Sequence, residues 1–203
     1  MSPAPLEFWF DFASSYSYVA AMQIEDLCDA ADIPLVWKPF LLGPIFEAQG
    51  LKDSPFNVYP LRGAYMWRDL ERLADKHHFP FRRPTRFPRS STLAARVACI
   101  LALEPWCAEY VRRVFIANFG ADKDISAREV LSEIIDDLGH PGASIIDAAT
   151  SESKRGLLRA NTSRAIELAM FGAPNCVVDG ELFWGEEALD DAIDWARRAK
   201  APT

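Results

Sequence analysis

The stretch FDFASSYSYVAA, residues 10–21, decides the fold, because a buried strand ends in it and a helix begins in it. Just before the turn, LEFWFDF (residues 6–12) places apolar side chains on alternate positions, and Trp9 adds one on the opposite face. That pattern predicts an interior strand covered on both sides. Beyond the turn, apolar residues recur at helical spacing, and Ser14 or Ser15 is a candidate N-cap. The turn itself contains serines and no cysteine.

The composition predicts an ordinary globular protein of 203 residues with one domain, or one domain that carries an insertion. Its net charge of -7 is not that of a nucleic-acid binder, for which a basic surface is typical. No apolar run approaches the ~20 residues needed to cross a bilayer, so we expect no membrane span. The first ten residues, MSPAPLEFWF, lack a signal-like pattern, and we therefore expect a cytoplasmic protein.

The four cysteines are widely spaced along the chain. They are Cys28, Cys99, Cys107 and Cys176. None belongs to a C-x-x-C motif, and no metal-ligand spacing occurs, so we expect reduced, mostly buried thiols and no metal site.

The order of the remaining elements predicts a split domain. IPLVWKPF (residues 33–40) predicts a second strand whose prolines favour a sheet edge, and residues 41–63 are expected to form a long loop rich in Gly and Pro. Residues 61–170 then show almost only helical signals. At the end of the chain, PNCVV and ELFW predict two strands joined by a tight Asp179-Gly180 turn, followed by a helix in EEALDDAIDWARRA.

Together these elements predict an α/β fold with a four-stranded mixed sheet and helices on both sides. Residues 1–45 plus 170–203 would form the discontinuous sheet domain, and residues 46–169 an all-helical insertion. This plan resembles the thioredoxin fold, with the long insertion of its DsbA-like branch. In that fold, the reactive group lies where the first strand meets the first helix, and a proline opening the third strand faces it. The matching residues here are Ser14 and Pro174.

The absence of cysteine from this turn excludes dithiol chemistry there, because disulfide exchange needs a thiolate. A serine hydroxyl and nearby amide N–H groups can instead stabilise an anion, including a thiolate that a cofactor brings. The protein would then borrow its nucleophile.

Several motifs, taken together and in order, resemble one bacterial family. FDFASSYSYVA, GPIFEAQG, SPFNVYPLRGAYMWRDLERLA and FGAPNCVVDGELFWGEEALDDAIDW look like the 2-hydroxychromene-2-carboxylate isomerases, which are related to the kappa-class glutathione transferases. The resemblance runs nearly end to end. It implies a thioredoxin-like fold with a helical insertion, a homodimer, glutathione as cofactor, and cis-trans isomerisation of a small aromatic keto acid.

The resemblance places the family's active-site serine at Ser14. We expect a cis peptide bond before Pro174 and expect the N–H and C=O of Ala173 to pair with the cysteinyl backbone of glutathione. The alternative interpretations are structural: Ser14 as a plain N-cap and Pro174 as a strand-opening proline.

Charged residues near the two ends are candidates for the remaining glutathione contacts. Glu186 and Glu187 could hold the γ-glutamyl ammonium, and Arg62 could hold a glycine or substrate carboxylate. The two glutamates would equally suit the first turn of any helix, and Arg62 could be a surface residue. The chain departs from the family here: Arg62 replaces a lysine, Glu186-Glu187-Ala188 replaces Asn/Ser-Asp-Arg, and an asparagine after Gly50 is replaced around residues 51–53.

Two further sets of residues are candidates for substrate contacts. An apolar wall for the substrate could come from Tyr16, Tyr18, Phe40, Tyr65 and Trp67. The segment FRRPTRFPRS could attract an acidic substrate or form a solvated connection, through Arg82, Arg83, Arg86 and Arg89.

Three functions remain open from the sequence. The first is a glutathione-dependent isomerase that adds and releases a thiolate. The second is a kappa-like glutathione transferase or peroxidase on the same scaffold. The third is a thioredoxin-like binding module without catalysis.

Overall fold

The computed structural model describes residues 4–199, and a four-stranded sheet forms its centre. The strands are β1 (Leu6–Phe10), β2 (Leu35–Pro39), β3 (Asn175–Val178) and β4 (Glu181–Trp184). They lie in the order β2-β1-β3-β4, with β1 parallel to β2 and antiparallel to β3, and β3 antiparallel to β4. This confirms the predicted mixed sheet, with the proline-containing β2 at an edge. The predicted domain ends at residues 1–3 and 200–203 lie outside the described residues.

Helices account for most of the remaining described chain. They are α1 (Ser15–Ala21), α2 (Ile24–Ala31), α3 (Leu42–Ala48), α4 (Pro55–Val58), α5 (Pro60–His77), α6 (Thr92–Leu101), α7 (Cys107–Phe119), α8 (Arg128–Asp137), α9 (Gly142–Thr150), α10 (Arg155–Glu167) and α11 (Leu189–Ala199). The eight from α3 to α10 lie between β2 and β3, as the insertion predicts. Among the described residues, no helix combines the length and the apolar character that a bilayer span requires.

The aromatic pattern of β1 is explained by the two cores that the sheet separates. Phe8 and Phe10 are fully buried in the larger core, to which α1, α2, α7 and α11 contribute. Trp9 points the other way, into a smaller core with residues of α3 and α10. Full burial of one such side chain contributes about 1.5–3 kcal/mol. The prediction of an interior strand covered on both faces is therefore confirmed.

The prediction of a long loop at residues 41–63 is wrong, because α3 and α4 form there. Pro44 lies in the first turn of α3, where a missing N–H costs no helical hydrogen bond. Ser54 caps α4 by accepting a hydrogen bond from the Phe56 N–H at 3.3 Å. The predicted domain boundary between residues 45 and 46 falls inside α3, and the division into two domains stays a prediction.

The C-terminal hairpin of β3 and β4 completes the sheet. Asp179 and Gly180 have φ values of 50° and 83°, as the primed turn of a two-residue hairpin requires. After β4, residues Glu186–Ala188 form a single 3₁₀ turn, and α11 begins only at Leu189. The two glutamates therefore precede the last α-helix instead of opening it.

Candidate active site

The turn between β1 and α1 is built around the buried carboxylate of Asp11. One carboxylate oxygen accepts a hydrogen bond from the Ala13 N–H at 2.9 Å, and the other from the Leu42 N–H at 2.8 Å. The Asp11 carbonyl also accepts one from the Ser14 N–H at 2.9 Å. Burial raises the pKa of the Asp11 carboxyl, and these N–H groups oppose the rise. Asp11 thus closes the turn and joins it to the start of α3.

Ser14 connects this turn to the loop before β3. Its Oγ accepts a hydrogen bond from the Ser17 N–H at 3.2 Å, which confirms Ser14 as the N-cap of α1. The same hydroxyl donates to the carbonyl oxygen of Ala173 at 3.1 Å. The peptide bond between Ala173 and Pro174 is cis, as expected. The structure therefore brings Ser14, Ala173 and Pro174 together.

The loop of residues 171–174 is held at each of its carbonyl groups. Gln49 Nε2 donates to the Phe171 carbonyl at 3.3 Å, and Asn175 Nδ2 donates to the Gly172 carbonyl at 2.8 Å. Ser14 Oγ donates to the Ala173 carbonyl at 3.1 Å, and the Gly185 N–H donates to the Pro174 carbonyl at 3.0 Å. The sequence analysis expected the Ala173 carbonyl to be free to pair with glutathione. In the structure it is not free, because Ser14 already donates a hydrogen bond to it. The Ala173 N–H has no acceptor among the described residues.

Carboxylates from two elements approach the first turn of α1. The Tyr16 hydroxyl donates to Asp69 of α5 at 3.0 Å, and Asp69 forms an ion pair with Arg72 at 2.7 Å. Burial, together with the nearby charges of Glu187 and Asp69, raises the pKa of Glu186. Burial and Asp69 also raise the pKa of the Tyr16 phenol. Asp69, Glu186 and Glu187 thus form an acidic cluster beside Tyr16.

Asp69 was missed by the sequence analysis. It occupies one of several exposed-looking acidic positions on α5, and nothing local distinguishes it from Glu71 or Asp75. Only the packing of α5 on α1 shows that its carboxylate meets Tyr16.

Arg62 shows no contact with the residues around Ser14. It lies exposed in the first turns of α5, and its guanidinium sits over the ring of Tyr59 at 4.9 Å from the ring centre. Its role in holding a carboxylate stays a prediction.

The five residues considered for an apolar wall separate into two groups. Tyr18 and Phe40 are buried inside the two cores, and Trp67 is buried against Phe87, so these three do not face a ligand. Tyr16 is half-buried and packs on Phe56, while Tyr65 is exposed. Only Tyr16 and Tyr65 remain candidates from that set.

The cysteines offer no reactive thiolate. All four are free, and burial raises the pKa of Cys28, Cys99 and Cys107 to about 12 and that of Cys176 further. Within residues 4–199, no group of three or more His, Cys, Asp or Glu side chains is arranged to hold a metal ion. The groups that could take part in chemistry at this site are therefore the Ser14 hydroxyl and the backbone of Ala173.

Comparisons with known proteins agree with this geometry. The model of the DSBA-like thioredoxin domain matches residues 5–194, and the chain belongs to that family. The 2-hydroxychromene-2-carboxylate isomerase of Sphingobium xenophagum is 27% identical over 187 residues, which cover 91% of this chain and 94% of the isomerase. Glutathione S-transferase kappa 1 of Caenorhabditis elegans is 23% identical over 178 residues, 83% of this chain and 78% of the transferase.

The solved structures support the fold in the same way. A selenomethionine structure of a 2-hydroxychromene-2-carboxylate isomerase superimposes with a TM-score of 0.85 at 22% sequence identity. The match covers 95% of this chain and 94% of that one. The predicted thioredoxin-like fold of the DsbA type, with a four-stranded mixed sheet and many helices, is confirmed, and so is the relationship to the isomerase and kappa-class families.

Proposed function

We propose that this protein is a glutathione-dependent isomerase that acts on 2-hydroxychromene-2-carboxylate or a similar aromatic keto acid. The observation that carries the proposal is the hydrogen bond between Ser14 Oγ and the Ala173 carbonyl, beside the cis peptide bond to Pro174. It puts a hydroxyl donor beside a backbone N–H that has no acceptor among residues 4–199, in a chain whose four thiols are buried or half-buried. Relatives named as isomerases and as a glutathione transferase support glutathione as the source of the thiol.

The residues present fit a γ-glutamyl peptide. The unpaired N–H of Ala173 can donate to the carbonyl of a cysteinyl residue, as an added strand would require. The acidic cluster of Asp69, Glu186 and Glu187 is only partly neutralised, by the ion pair of Asp69 with Arg72 and by the nearby charge of Lys76 at Glu186. An ammonium group placed there would find three carboxylates and two competing cations.

When bound, glutathione supplies a thiolate that adds to the conjugated double bond and leaves again, so that the bond can rotate in between. Ser14 keeps the sulfur ionised by turning its hydroxyl hydrogen from the Ala173 carbonyl towards it. The Ser17 N–H continues to hold the Ser14 oxygen in place, so the hydroxyl needs no other reorganisation. The hydrogen bonds that Asp11 accepts fix the turn and so hold Ser14 next to Ala173.

Replacing Ser14 with alanine tests the proposal. We expect the pKa of the bound glutathione thiol to rise and turnover to fall about tenfold to hundredfold, because one preorganised donor to the sulfur is lost. The thiolate's ultraviolet absorbance, followed against pH, gives the thiol pKa. Ser14→Thr keeps a hydroxyl and should restore much of the activity.

A neighbouring serine provides the control for that experiment. Ser15→Ala removes a hydroxyl that donates to the Met66 sulfur at 3.0 Å and should leave the thiol pKa unchanged. If Ser14→Ala also left both thiol pKa and rate unchanged, Ser14 would be only a helix cap and the proposed chemistry would be wrong.

A glutathione transferase is the second candidate, because a kappa-class transferase is among the relatives. It shares the first step but keeps the thioether instead of releasing the thiolate. Recovery of all glutathione as free thiol after many turnovers supports the isomerase, and accumulation of a stable conjugate supports the transferase. A protein that fails to bind glutathione at millimolar concentration in a calorimeter would be neither.

A further inference from the structure

The turn that leads into Ser14 is a four-residue β-turn whose middle peptide is held at both ends. The Ser14 N–H donates to the Asp11 carbonyl at 2.9 Å and closes the turn. The Phe12–Ala13 peptide in the middle takes no part in that closing bond. Its N–H, on Ala13, donates to the Asp11 carboxylate at 2.9 Å. Its carbonyl, on Phe12, accepts a hydrogen bond from Asn118 Nδ2 at 3.0 Å.

The orientation of this middle peptide decides where Ser14 lies. The two common β-turn types differ chiefly in that orientation, and type II requires a positive φ at the third residue. Ala13, the third residue here, is not among the residues of the described chain with a positive φ, so the type II orientation does not occur. Because Ser14 follows directly, any rotation of the middle peptide moves the Ser14 hydroxyl relative to Ala173, to which it donates.

Asn118 is itself held in one orientation. It is only 2% exposed at the end of α7, and its Oδ1 accepts a hydrogen bond from Arg89 Nη1 at 3.0 Å. A guanidinium only donates and a carbonyl only accepts, so an amide between Arg89 and Phe12 must turn its oxygen to the first and its nitrogen to the second. Arg89 is fixed in turn by a buried ion pair with Asp122.

Stability alone is a poor explanation for this buried polar network. A buried ion pair is a weak means of stabilising a fold, because the loss of water around the charges offsets their attraction. The neighbouring positions of α7 show the alternative, since Val114, Phe115 and Phe119 are fully buried apolar residues. An apolar residue at position 118 would suit the same core, but it would leave the Phe12 carbonyl without its donor.

We propose that Asn118, held by Arg89, is a positioning residue that fixes the Phe12–Ala13 peptide and thereby directs the Ser14 hydroxyl towards the bound thiolate. This inference rests on the proposed function, because it assigns what places the donor to the glutathione sulfur. Asn118 acts through the turn and does not touch the ligand. Such support matters because a functional group works only within about 0.5 Å of its productive position.

Two substitutions of Asn118 test the inference. Asn118→Asp keeps the size of the side chain and an oxygen for Arg89, but an ionised carboxylate cannot donate to Phe12. Asn118→Leu also removes the donor and adds no charge. In both variants we expect the thiol pKa of bound glutathione to rise, though less than in Ser14→Ala. We expect turnover to fall about tenfold, because a misplacement of 1 Å can cost a hundredfold.

Ile146→Ala is the control for a loss of stability without a loss of position. Ile146 is fully buried in α9, which packs on α6 and α8, and its truncation destabilises the fold away from the turn. All variants are measured at a temperature at which circular dichroism shows them to be folded. Ile146→Ala should keep the thiol pKa of the unmodified protein.

A second measurement needs no glutathione. The Ser17 N–H donates to Ser14 Oγ at 3.2 Å, so its hydrogen exchange, followed by NMR, reports how firmly Ser14 is held. Exchange of this amide should be faster in Asn118→Asp and Asn118→Leu than in Ile146→Ala. Because either substitution of Asn118 can be measured in this way, one folded variant is enough for the test.

The outcomes separate this inference from the proposed function. If Ser14→Ala raised the thiol pKa while both Asn118 variants behaved like Ile146→Ala, the network would be merely structural and the inference would be wrong. A rise confined to Asn118→Asp would be an effect of the new charge and would also overturn it. If the protein did not bind glutathione, the proposed function would fail, whereas faster Ser17 exchange in the Asn118 variants would still support the positioning of Ser14.

Discussion

The β1–α1 turn is held from two sides, and the two sides differ in what they leave available to a ligand. From behind, Asn118 of α7 donates to the Phe12 carbonyl at 3.0 Å and accepts from Arg89 at 3.0 Å. Arg89 in turn forms a buried ion pair with Asp122. From the front, the loop of residues 171–174 meets Ser14 through its main chain. The rear support uses polar side chains, and the front uses backbone groups.

This difference shows why the two regions have different roles. In the rear network, Asn118 and Arg89 are almost fully buried, and the donors and acceptors described there find partners within the protein. At the front, the Ala173 N–H has no acceptor within residues 4–199, and Ser14 is partly exposed. A satisfied polar network stabilises a fold, whereas unsatisfied groups on a rigid support can bind a ligand.

The same comparison corrects the interpretation of FRRPTRFPRS as a cluster that attracts substrate or stays solvated. Arg89 is only 6% exposed and is paired with Asp122 and Asn118, so it belongs to neither description. Arg82 and Arg86 are exposed, and Arg83 lies over the ring of Trp67 at 5.0 Å. Most of this segment is surface, but its last arginine is a structural residue.

The largest effect that separates the two sides is expected from Asn118→Ala. This change leaves the Phe12 carbonyl and one buried N–H of Arg89 without partners, and we expect it to cost about 3 kcal/mol of unfolding free energy. Urea unfolding measures the loss. Asn57→Ala is the control, since Asn57 also donates to a carbonyl of the arginine-rich loop, that of Phe87 at 3.1 Å, but is exposed. Its cost should stay below about 0.5 kcal/mol. Equal costs would contradict the rear network as a stabilising element.

Two carboxyl groups around this turn have opposite pKa shifts: Asp122 belongs to the rear network, and Asp11 lies within the turn itself. Hydrogen bonds from the Thr85 N–H and from Arg89 lower the pKa of Asp122 to about 2, from an ordinary value of 3.8. Burial raises the pKa of Asp11 above the same value. Asp122 therefore contributes stability that is present above pH 3.8 and lost as pH falls through about 2. Asp11 contributes stability that is present below 3.8 and lost as pH rises through its folded pKa.

Two asparagine variants measured against pH check these opposite signs. Asp122→Asn should lose stability relative to the unmodified protein at neutral pH, and the difference should shrink as the solution becomes acidic. For Asp11→Asn, the unmodified protein should gain relative stability as pH falls from neutral towards 3.8. Urea midpoints measured from neutral pH down to about pH 2 supply the comparison, because the Asp122 contribution changes only below pH 3.8. Each difference is the stability of the unmodified protein minus that of the variant. If both differences rose, or both fell, on acidification, the two carboxyl groups would not be in the environments described.

The features that could be predicted from the sequence are those fixed by residues close together in the chain. An N-cap at Ser14 or Ser15 and a hairpin turn at Asp179-Gly180 are predictable, because each follows from the chemistry of one or two residues, and the structure assigns the cap to Ser14. The aromatic alternation of β1 predicted an interior strand, since two cores must cover its two faces.

The features that could not be predicted depend on residues far apart in the chain. The Ser14–Ala173 hydrogen bond joins positions 159 residues apart, and the Tyr16–Asp69 bond joins positions 53 apart. No local pattern specifies such partners. The Gly and Pro residues of positions 41–63 led to the prediction of a loop where α3 and α4 form, because Gly and Pro are typical of turns and Pro is also typical of helix starts. Sequence reasoning therefore pointed to Ser14 and Pro174, which the structure brings together, while the acidic residues beside them required the structure.

The smallest effect concerns Glu186, where the front of the site would hold an ammonium group. We expect Glu186→Gln to weaken glutathione binding about twofold to fivefold, because one partly exposed charge contact of modest strength is lost. Glu181→Gln removes an exposed glutamate of β4 and is the control. N-acetylglutathione lacks the ammonium group and should bind the unmodified protein and Glu186→Gln equally.

The pH dependence of binding gives the sharper test of the same contact. Burial, followed by Glu187 and Asp69, raises the pKa of Glu186 above its ordinary 4.5, so this carboxyl takes up a proton at a higher pH than an ordinary glutamate does. Protonation removes the charge that attracts the ammonium. Glutathione binding to the unmodified protein should therefore weaken as the solution is acidified towards and below that raised pKa, with a smaller change in Glu186→Gln. Parallel pH profiles, together with equal losses for glutathione and its acetylated form, would assign Glu186 to the start of the 3₁₀ turn and α11 alone, because an acidic residue there stabilises a helix without any ligand.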